Sequence, residues 1–291
     1  MELIIVIISY RARAYLKGCL LSLIENPPKI GYQVMVVDNA SGNGTASLVK
    51  SGFPQVLLRE EDVNLGFAKG CNRVLQLPPP EYILFLNPDV IIEKGAIDLM
   101  VSLLEKREEI GIVGGGVWGF EGRLQPTYRQ FPTYRNLFST KRNPLGRLLG
   151  KGPQPQEEEK EVDSVAGTFM MIRGELFHRL NGFDERFFMY VEDVDLCYRA
   201  RRVGVKVFYL PQARIRHLWG GSTRLCRKRM EIEHHKSLYR FFKKHYPHPI
   251  KNYLLGWILL LNLGLTLTGE ILREMFLDEG PSKLTPSPRR G

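Results

Sequence analysis

Paired cysteines are missing from this chain of 291 residues. Its four, Cys19, Cys71, Cys197 and Cys226, stand apart without a Cys-x-x-Cys spacing. That fits a reducing, cytoplasmic compartment and argues against structural zinc. Glycine-rich phosphate loops are missing too. The turn after the first apolar run reads SYRARAY (9–15), where a dinucleotide-binding unit needs G-x-G-x-x-G. No G-x-x-x-x-G-K-[ST] occurs, nor the Gly-rich basic loop that opens a nucleotidyltransferase. The start, MELIIVIISY, has no basic stretch ahead of its six-residue apolar run, so it reads as a first strand rather than a signal peptide. No internal repeat is visible. For a nucleotide-using α/β chain, binding through Asp and Asn side chains plus a metal is what remains.

What is present fits a globular chain: 44% hydrophobic and 25% charged residues, enough to bury one large core or a core with an appendage. Net charge is +10, with the bases crowded between Arg201 and Lys251. Such a block suits an anionic partner, whether phosphate, acidic lipid or nucleic acid.

Short Val/Ile-rich runs alternate with longer segments of helical pattern. LIIVIIS (3–9), QVMVVD (33–38), QVLLRE (55–60) and YILFLN (82–87) read as strands, with helices over 14–26, 44–52, 66–77 and 95–107. Continuous apolar strands with intervening helices predict an α/β fold with a mostly parallel central sheet covered on both faces. Ligands of such sheets sit beyond the carboxyl ends of the strands. Polar residues fall there: Ser9-Tyr10-Arg11, Asp38-Asn39, the loop Asn64–Asn72, and Asn87-Pro88-Asp89. Turns favour Asp, Asn and Gly for their own reasons, so one such end means little. Four in succession point to a shared crevice. GIVGGGVW (111–118) is strand-like, its glycines a packing or bend feature. RNPLGRLLGKGPQPQEEEKE (142–161) reads as a mobile loop. A strand and short helix over 164–180, a helix over 192–204 and a last strand over 206–211 complete the other wall.

The ordered set ISY, VVDNASGNGT (36–45), NLGFAKGCN (64–72) and LFLNPDV (84–90) closes on acids and a histidine: GFDERFFMYVEDVDLCYRA (182–200) and HLWGGS (217–222). Together these resemble the GT-A fold glycosyltransferases of family 2, most nearly the bacterial rhamnosyltransferase-like group, over residues 3 to 222. The resemblance implies that Asp38 bonds the base or ribose of a nucleotide sugar, with Ser9, Tyr10 and Asn39 bordering it. Asn64, Gly66 and Asn72 would shape the nucleoside and phosphate wall. Asp89 matches the last acid of the family's DxD motif and His217 a histidine completing a Mg²⁺ or Mn²⁺ site. Asp193 matches the catalytic base. Two positions depart from the pattern: Arg11 stands where Asn is frequent, and Asn87 is a neutral oxygen donor in place of the first DxD acid, which predicts modest metal affinity.

The chemistry is consistent with those assignments. Cleaving a sugar–phosphate bond leaves charge on the departing diphosphate, which a hard cation held by oxygen ligands neutralises. The attacking hydroxyl needs a carboxylate to take its proton. Acids opening a helix that ends in Arg199, Arg201 and Arg202 also suit the helix dipole, the structural reading for Glu192 and Asp195. For Asp193, the apolar FDERFFMY ahead of it is expected to form a collar that raises its pKa.

Beyond Gly221 the character changes. A basic, partly amphipathic helix over 224–249 precedes NYLLGWILLLNLGLTLTG (252–269), eighteen residues without a charge, about 27 Å long as a helix. Asn262, Thr266, Glu270 and Arg273 draw a polar stripe along it, so a helix lying on the membrane is favoured over a span or a core helix. His234 and His235 read as helix surface. The expected organisation is a transferase domain over 1–222, a helical membrane-seeking appendage over 223–277 and a disordered tail over 278–291. The expected protein is an inverting glycosyltransferase, peripheral on the inner face of the cell membrane. Its donor would be dTDP-rhamnose or a UDP-hexose, its acceptor a glycan or lipid-linked glycan. A homodimer is left open, and a catalytically silent nucleotide-sugar or glycan-binding module is the alternative. Nucleic acid is not an expected partner, because no aromatic-interleaved RNA motif accompanies the bases.

Overall fold

The computed structural model describes residues 1–119, 121–137, 157–217 and 227–277. Strands β1 (Leu3–Ser9), β2 (Tyr32–Asp38), β3 (Leu57–Glu60) and β4 (Tyr82–Leu86) alternate with helices α1 (Arg13–Glu25), α2 (Thr45–Gly52) and α3 (Phe67–Cys71). A 3₁₀ turn, Asn72–Gln76, continues α3, so the helix expected over 66–77 is split. Then follow β5 (Val90–Ile92), α4 (Ala96–Lys106), β6 (Ile110–Gly119), β7 (Tyr128–Arg129), β8 (Lys160–Glu161), β9 (Ser164–Val165) and β10 (Phe169–Arg173). Helices α5 (Gly174–Arg179) and α6 (Glu192–Arg202), strand β11 (Lys206–His217), and helices α7 (Arg227–His245) and α8 (Pro249–Leu277) complete the order. Of the loop expected over 142–161, residues 142–156 lie outside the described residues, as do 218–226 and the tail 278–291.

The main sheet runs β3-β2-β1-β4-β10-β6-β11-β5, with β8 also on β11. β3, β2, β1 and β4 are parallel, as their apolar runs predict. Beyond β4 the sheet is mixed, because β10 enters antiparallel between β4 and β6. Within β1, Leu3, Ile5 and Ile7 face one core, shared with α1, α2 and α4. Ile4, Val6 and Ile8 face the other, shared with α3, α5 and α6. The two-residue period of a strand, buried on both sides, is why β1 reads as one unbroken apolar run. The glycines of β6 are packing positions: a Cβ on Gly115 would stand 2.3 Å from the Phe169 ring and 2.7 Å from the Ala213 carbonyl oxygen.

A third cluster joins the C-terminal helices to the body. Phe187, Val191 and Val194, at the start of α6, pack with Phe241 and Phe242 of α7 and with Leu255 and Leu259 of α8. The residues expected to form an appendage thus share a core with the helix bearing the acids.

Candidate active site

Register brings the expected site residues to one rim. Ser9 pairs with Asp38 across β1 and β2, and Ile7 pairs with Leu86 across β1 and β4, so Asn87–Asp89 leave the sheet level with both. Phe169 pairs with Leu86, which starts β10 at this same edge. His217 ends β11 opposite Val90, next to Asp89. Backbone strain gathers here too. Arg11 (φ 54°), Ala40 (φ 60°), Tyr190 (φ 67°) and Val191 (φ 67°) all adopt the left-handed region, rare for any side chain and rarest for a β-branched one. Such residues persist where surrounding contacts hold them, often at sites of chemistry.

At the nucleotide end, Asp38 is buried and its Oδ1 accepts the Ser41 N–H at 3.1 Å. Ser9 is fully buried and Tyr10 is partly exposed, with the Arg11 guanidinium 5.3 Å from its ring centroid. Ser9 therefore lies beneath the rim; Tyr10 is the accessible one of the pair. Asn39 is a loop clamp. Its Nδ2 donates to Asn64 Oδ1 (3.0 Å) and the Gly66 carbonyl (3.2 Å), and its Oδ1 accepts the Leu65 N–H (2.8 Å). Asn64 Oδ1 also accepts the Gly66 N–H, so both amides shape the turn. Gly66 has φ 81°, and a Cβ there would stand 2.2 Å from the Phe188 carbonyl oxygen. Only glycine satisfies both demands. That carbonyl accepts the Phe67 N–H at 2.8 Å, binding the third-strand loop to the aromatic segment before α6. Asn72 departs from its expected place. Its amide donates to the Phe183 carbonyl and accepts the Phe183 N–H, both at 2.8 Å, and reaches Glu185 at 3.2 Å. It is an internal staple, not part of a phosphate wall.

Asp193 is partly exposed at the first turn of α6. Its Oδ2 accepts the Gly167 N–H at 3.1 Å and its Oδ1 the Val194 N–H at 2.8 Å, which fixes the carboxylate at the β10 end of the rim. Asp89 is buried, with Oδ1 3.3 Å from His217 Nε2. The other ring nitrogen, Nδ1, stands 3.0 Å from Gln125 Oε1. A side-chain carbonyl only accepts, so Nδ1 carries the hydrogen and Nε2 of a neutral ring turns its lone pair toward the carboxylate. An approach of a carboxylate oxygen and a ring nitrogen at this distance is compatible with a shared proton or with a metal ion between them. A carboxylate oxygen and an imidazole nitrogen fit Mg²⁺ or Mn²⁺, with phosphate oxygens supplying the remaining ligands. Among the described residues no group of three or more His, Cys, Asp or Glu forms a complete protein cage. Gln125, which orients the imidazole, carried no signal in the sequence.

Comparison with known proteins identifies the family. The family described as "Glycosyltransferase like family 2" matches residues 2–231. The chain belongs to glycosyltransferase family 2. An N-acetylglucosaminyl-diphospho-decaprenol L-rhamnosyltransferase of Mycobacterium tuberculosis (strain H37Rv) is 28% identical over 259 residues, 81% of this chain and 82% of the relative. Rhamnosyltransferase WbbL of Escherichia coli (strain K12) is 31% identical over 56% of this chain and 62% of its own length. The fold is shared with a mannosyltransferase of Pyrobaculum calidifontis solved with GDP-Man and Mn²⁺, at TM-score 0.59 and 17% identity, covering 93% of this chain and 75% of that one. The protein is a glycosyltransferase with the GT-A arrangement of a rhamnosyltransferase-like group.

The remaining acids of this family 2 enzyme divide by environment. The burial expected for Asp193 falls on Glu192 instead, which is 5% exposed, with no hydrogen-bond partner for its Oε2 among the described residues. Burial first, and then the Asp193 charge, push its carboxyl well above the usual range, partly offset by Arg129. The folded chain holds a proton there that the unfolded chain releases near the ordinary value of 4.5. The stability tied to that proton is complete below about pH 4.5 and is lost as pH rises toward the folded value. Glu192→Gln keeps the site neutral at every pH, so its melting temperature should exceed the parent's by about 3 °C at pH 8 and match it at about pH 4. Equal shifts at both would sink this reading.

Asp195 is the acid lodged against an arginine. Its Oδ2 accepts Arg199 Nε at 2.7 Å; its Oδ1 accepts Lys244 Nζ at 2.6 Å and His245 Nε2 at 2.7 Å. Burial alone would raise its pKa, yet His245, Arg199 and Lys244 together hold it below the usual carboxylate range. It ties α6 to α7. The sequence reading of His235 as helix surface is overturned as well: it is buried, Nδ1 against the Glu231 carbonyl (2.8 Å) and Nε2 against Asn262 Nδ2 (3.0 Å).

Proposed function

We propose that this glycosyltransferase transfers L-rhamnose from a nucleotide-diphosphate donor to a hydroxyl of a lipid-linked glycan, inverting the anomeric carbon. Cell-envelope polysaccharide assembly is the setting. The observation that carries this reading is the single rim holding Asp38, the Asp89–His217 pair and the tethered Asp193. Rhamnose and a diphospho-lipid acceptor are supported by the Mycobacterium tuberculosis relative, which aligns over most of both chains.

Asp38 and Tyr10 would hold the nucleoside, with the Asn39–Asn64–Gly66 turn setting the wall beside it. Asp89 and His217 would hold Mg²⁺ or Mn²⁺, which when bound neutralises charge on the leaving diphosphate. Asp193, fixed by the Gly167 and Val194 N–H groups, takes the proton of the attacking hydroxyl; its fixed orientation favours in-line attack. One displacement gives inversion. An enzyme of this kind would work peripherally at the cytoplasmic face of the membrane.

The test is transfer from dTDP-rhamnose, UDP-hexoses and GDP-mannose to a polyprenyl-diphosphate N-acetylglucosamine, with and without Mn²⁺. Metal-dependent turnover with dTDP-rhamnose, at least about tenfold above the other donors, is expected. Preference for another sugar would overturn the donor. Saturable binding without turnover would favour a silent nucleotide-sugar-binding module, the reading prompted by Asn87.

A further inference from the structure

Helix α8 leaves one face uncovered. Asn252, Leu255, Leu259 and Asn262 are buried, while Tyr253, Leu254, Trp257, Leu260, Leu261 and Leu265 are exposed, Trp257 by 60% and Leu261 by 63%. These positions recur at three-, four- and seven-residue spacing, so they form one continuous apolar face. Pro249–Gly269 is long and apolar enough to cross a bilayer, 21 residues or about 32 Å. Length and composition alone leave span and surface helix equally open.

The partner helix decides between them. Asn252 Nδ2 donates to the Tyr246 carbonyl (2.9 Å), Gly256 lies against the Tyr239 ring, and Asn262 meets His235 (3.0 Å). Positions climb on α8 as they fall on α7, so the two form an antiparallel hairpin. A span by α8 would carry residues 235–246 of α7 into the hydrocarbon, with the exposed charges of Lys236, Arg240 and Lys243. Placing three such charges in the hydrocarbon is strongly unfavourable. Lys244 and His245 are also bonded to Asp195 in the body, and Ser237 to the Met189 carbonyl at 3.0 Å. Crossing would break the core cluster shared with α6.

We propose that the hairpin docks the enzyme on an anionic lipid bilayer, with α8 lying in the interfacial plane and its Tyr253–Leu265 face inserted among the lipids. The bases of α7 suit headgroup phosphates: Lys228, Arg240 and Lys243 are exposed, as are Arg229, whose guanidinium also lies 5.2 Å from the Phe188 ring, and Lys236, paired with the partly open Glu233 at 3.0 Å. Apolar burial together with cations is what holds an interfacial helix to an anionic surface. Because α7 grips the start of α6, docking fixes the height of Asp193 above the lipid. In purpose this rests on the membrane-borne acceptor proposed above; the binding itself needs neither donor nor acceptor.

The full chain is sedimented with vesicles of phosphatidylcholine alone or with phosphatidylglycerol, with no sugar nucleotide present. Binding at least about tenfold stronger to the anionic vesicles, and weakened by salt, is expected. The pair Trp257→Glu and Leu261→Glu should lower the bound fraction about tenfold at unchanged melting temperature, since both side chains are exposed. Nitroxide labels at Leu254→Cys and Leu265→Cys, in a Cys226→Ser background, should report one shallow depth. Depths that differ across the bilayer indicate a span and overturn the proposal. So does a chain that ignores vesicles, or a dimer that the two glutamates split into monomers while lipid binding is unchanged. Sugar transfer on the same preparation separates the readings: turnover without vesicle binding overturns the docking alone, and vesicle binding without rhamnose transfer overturns the donor assignment alone.

Discussion

Asp193→Asn should lower kcat by about 10²–10⁴-fold, the range general-base catalysis supplies, and leave nucleotide-diphosphate affinity within about twofold. The asymmetry follows from placement. Asp193 sits where α6 meets the residues leading into β10, held by the Gly167 N–H, while Asp38 stands at the far side of β1. Asparagine keeps the side-chain shape but cannot accept the proton, and it presents an NH₂ group to one of two backbone donors now satisfied by oxygen. A modest loss of melting temperature should accompany the loss of rate. Single-turnover transfer and titration with the nucleotide diphosphate make the check. Activity within tenfold of the parent would remove Asp193 from the chemistry.

Asp89→Ala should produce a loss of a different kind. Without this carboxylate the His217 nitrogen is the one remaining member of the pair, and Mn²⁺ should no longer strengthen binding of the nucleotide diphosphate. Lewis-acid assistance is worth several kcal/mol, so the rate should fall about 10³-fold. His217→Ala should have a smaller effect, because oxygen ligands dominate the binding of hard cations. Calorimetric titration of Mn²⁺ with the diphosphate is the direct readout. Unchanged metal enhancement in Asp89→Ala would place the ion elsewhere.

Much of this was legible in the sequence because parallel strands buried on both faces leave continuous apolar runs. Their carboxyl ends are where Asp38 and Asp89 stand, and the register puts them at a common level. What was hidden depends on pairing at a distance. Val90–Ile92 is too short to show periodicity, and its partner Ile215–His217 lies far along the chain. Nothing local tells an amide bonding a ligand from one bonding the backbone 111 residues away, as Asn72 does. Adjacent acids on a helix point in different directions, so the sequence could not tell that Glu192 rather than Asp193 is the buried one. His235 looked like surface because its cover, Asn262, belongs to the following helix.

The position of β10 has a consequence for how the chain is made. β4, synthesised by residue 86, and β6, by residue 119, both await the same neighbour, which ends at Arg173. Until then the nascent sheet keeps an open hydrogen-bonding edge at β4, made of Tyr-Ile-Leu-Phe-Leu. At a translation rate of about 5–20 residues per second, that edge stays bare for several seconds. A ribosome stalled between the two strands would leave that apolar edge of the half bearing Asp38 exposed.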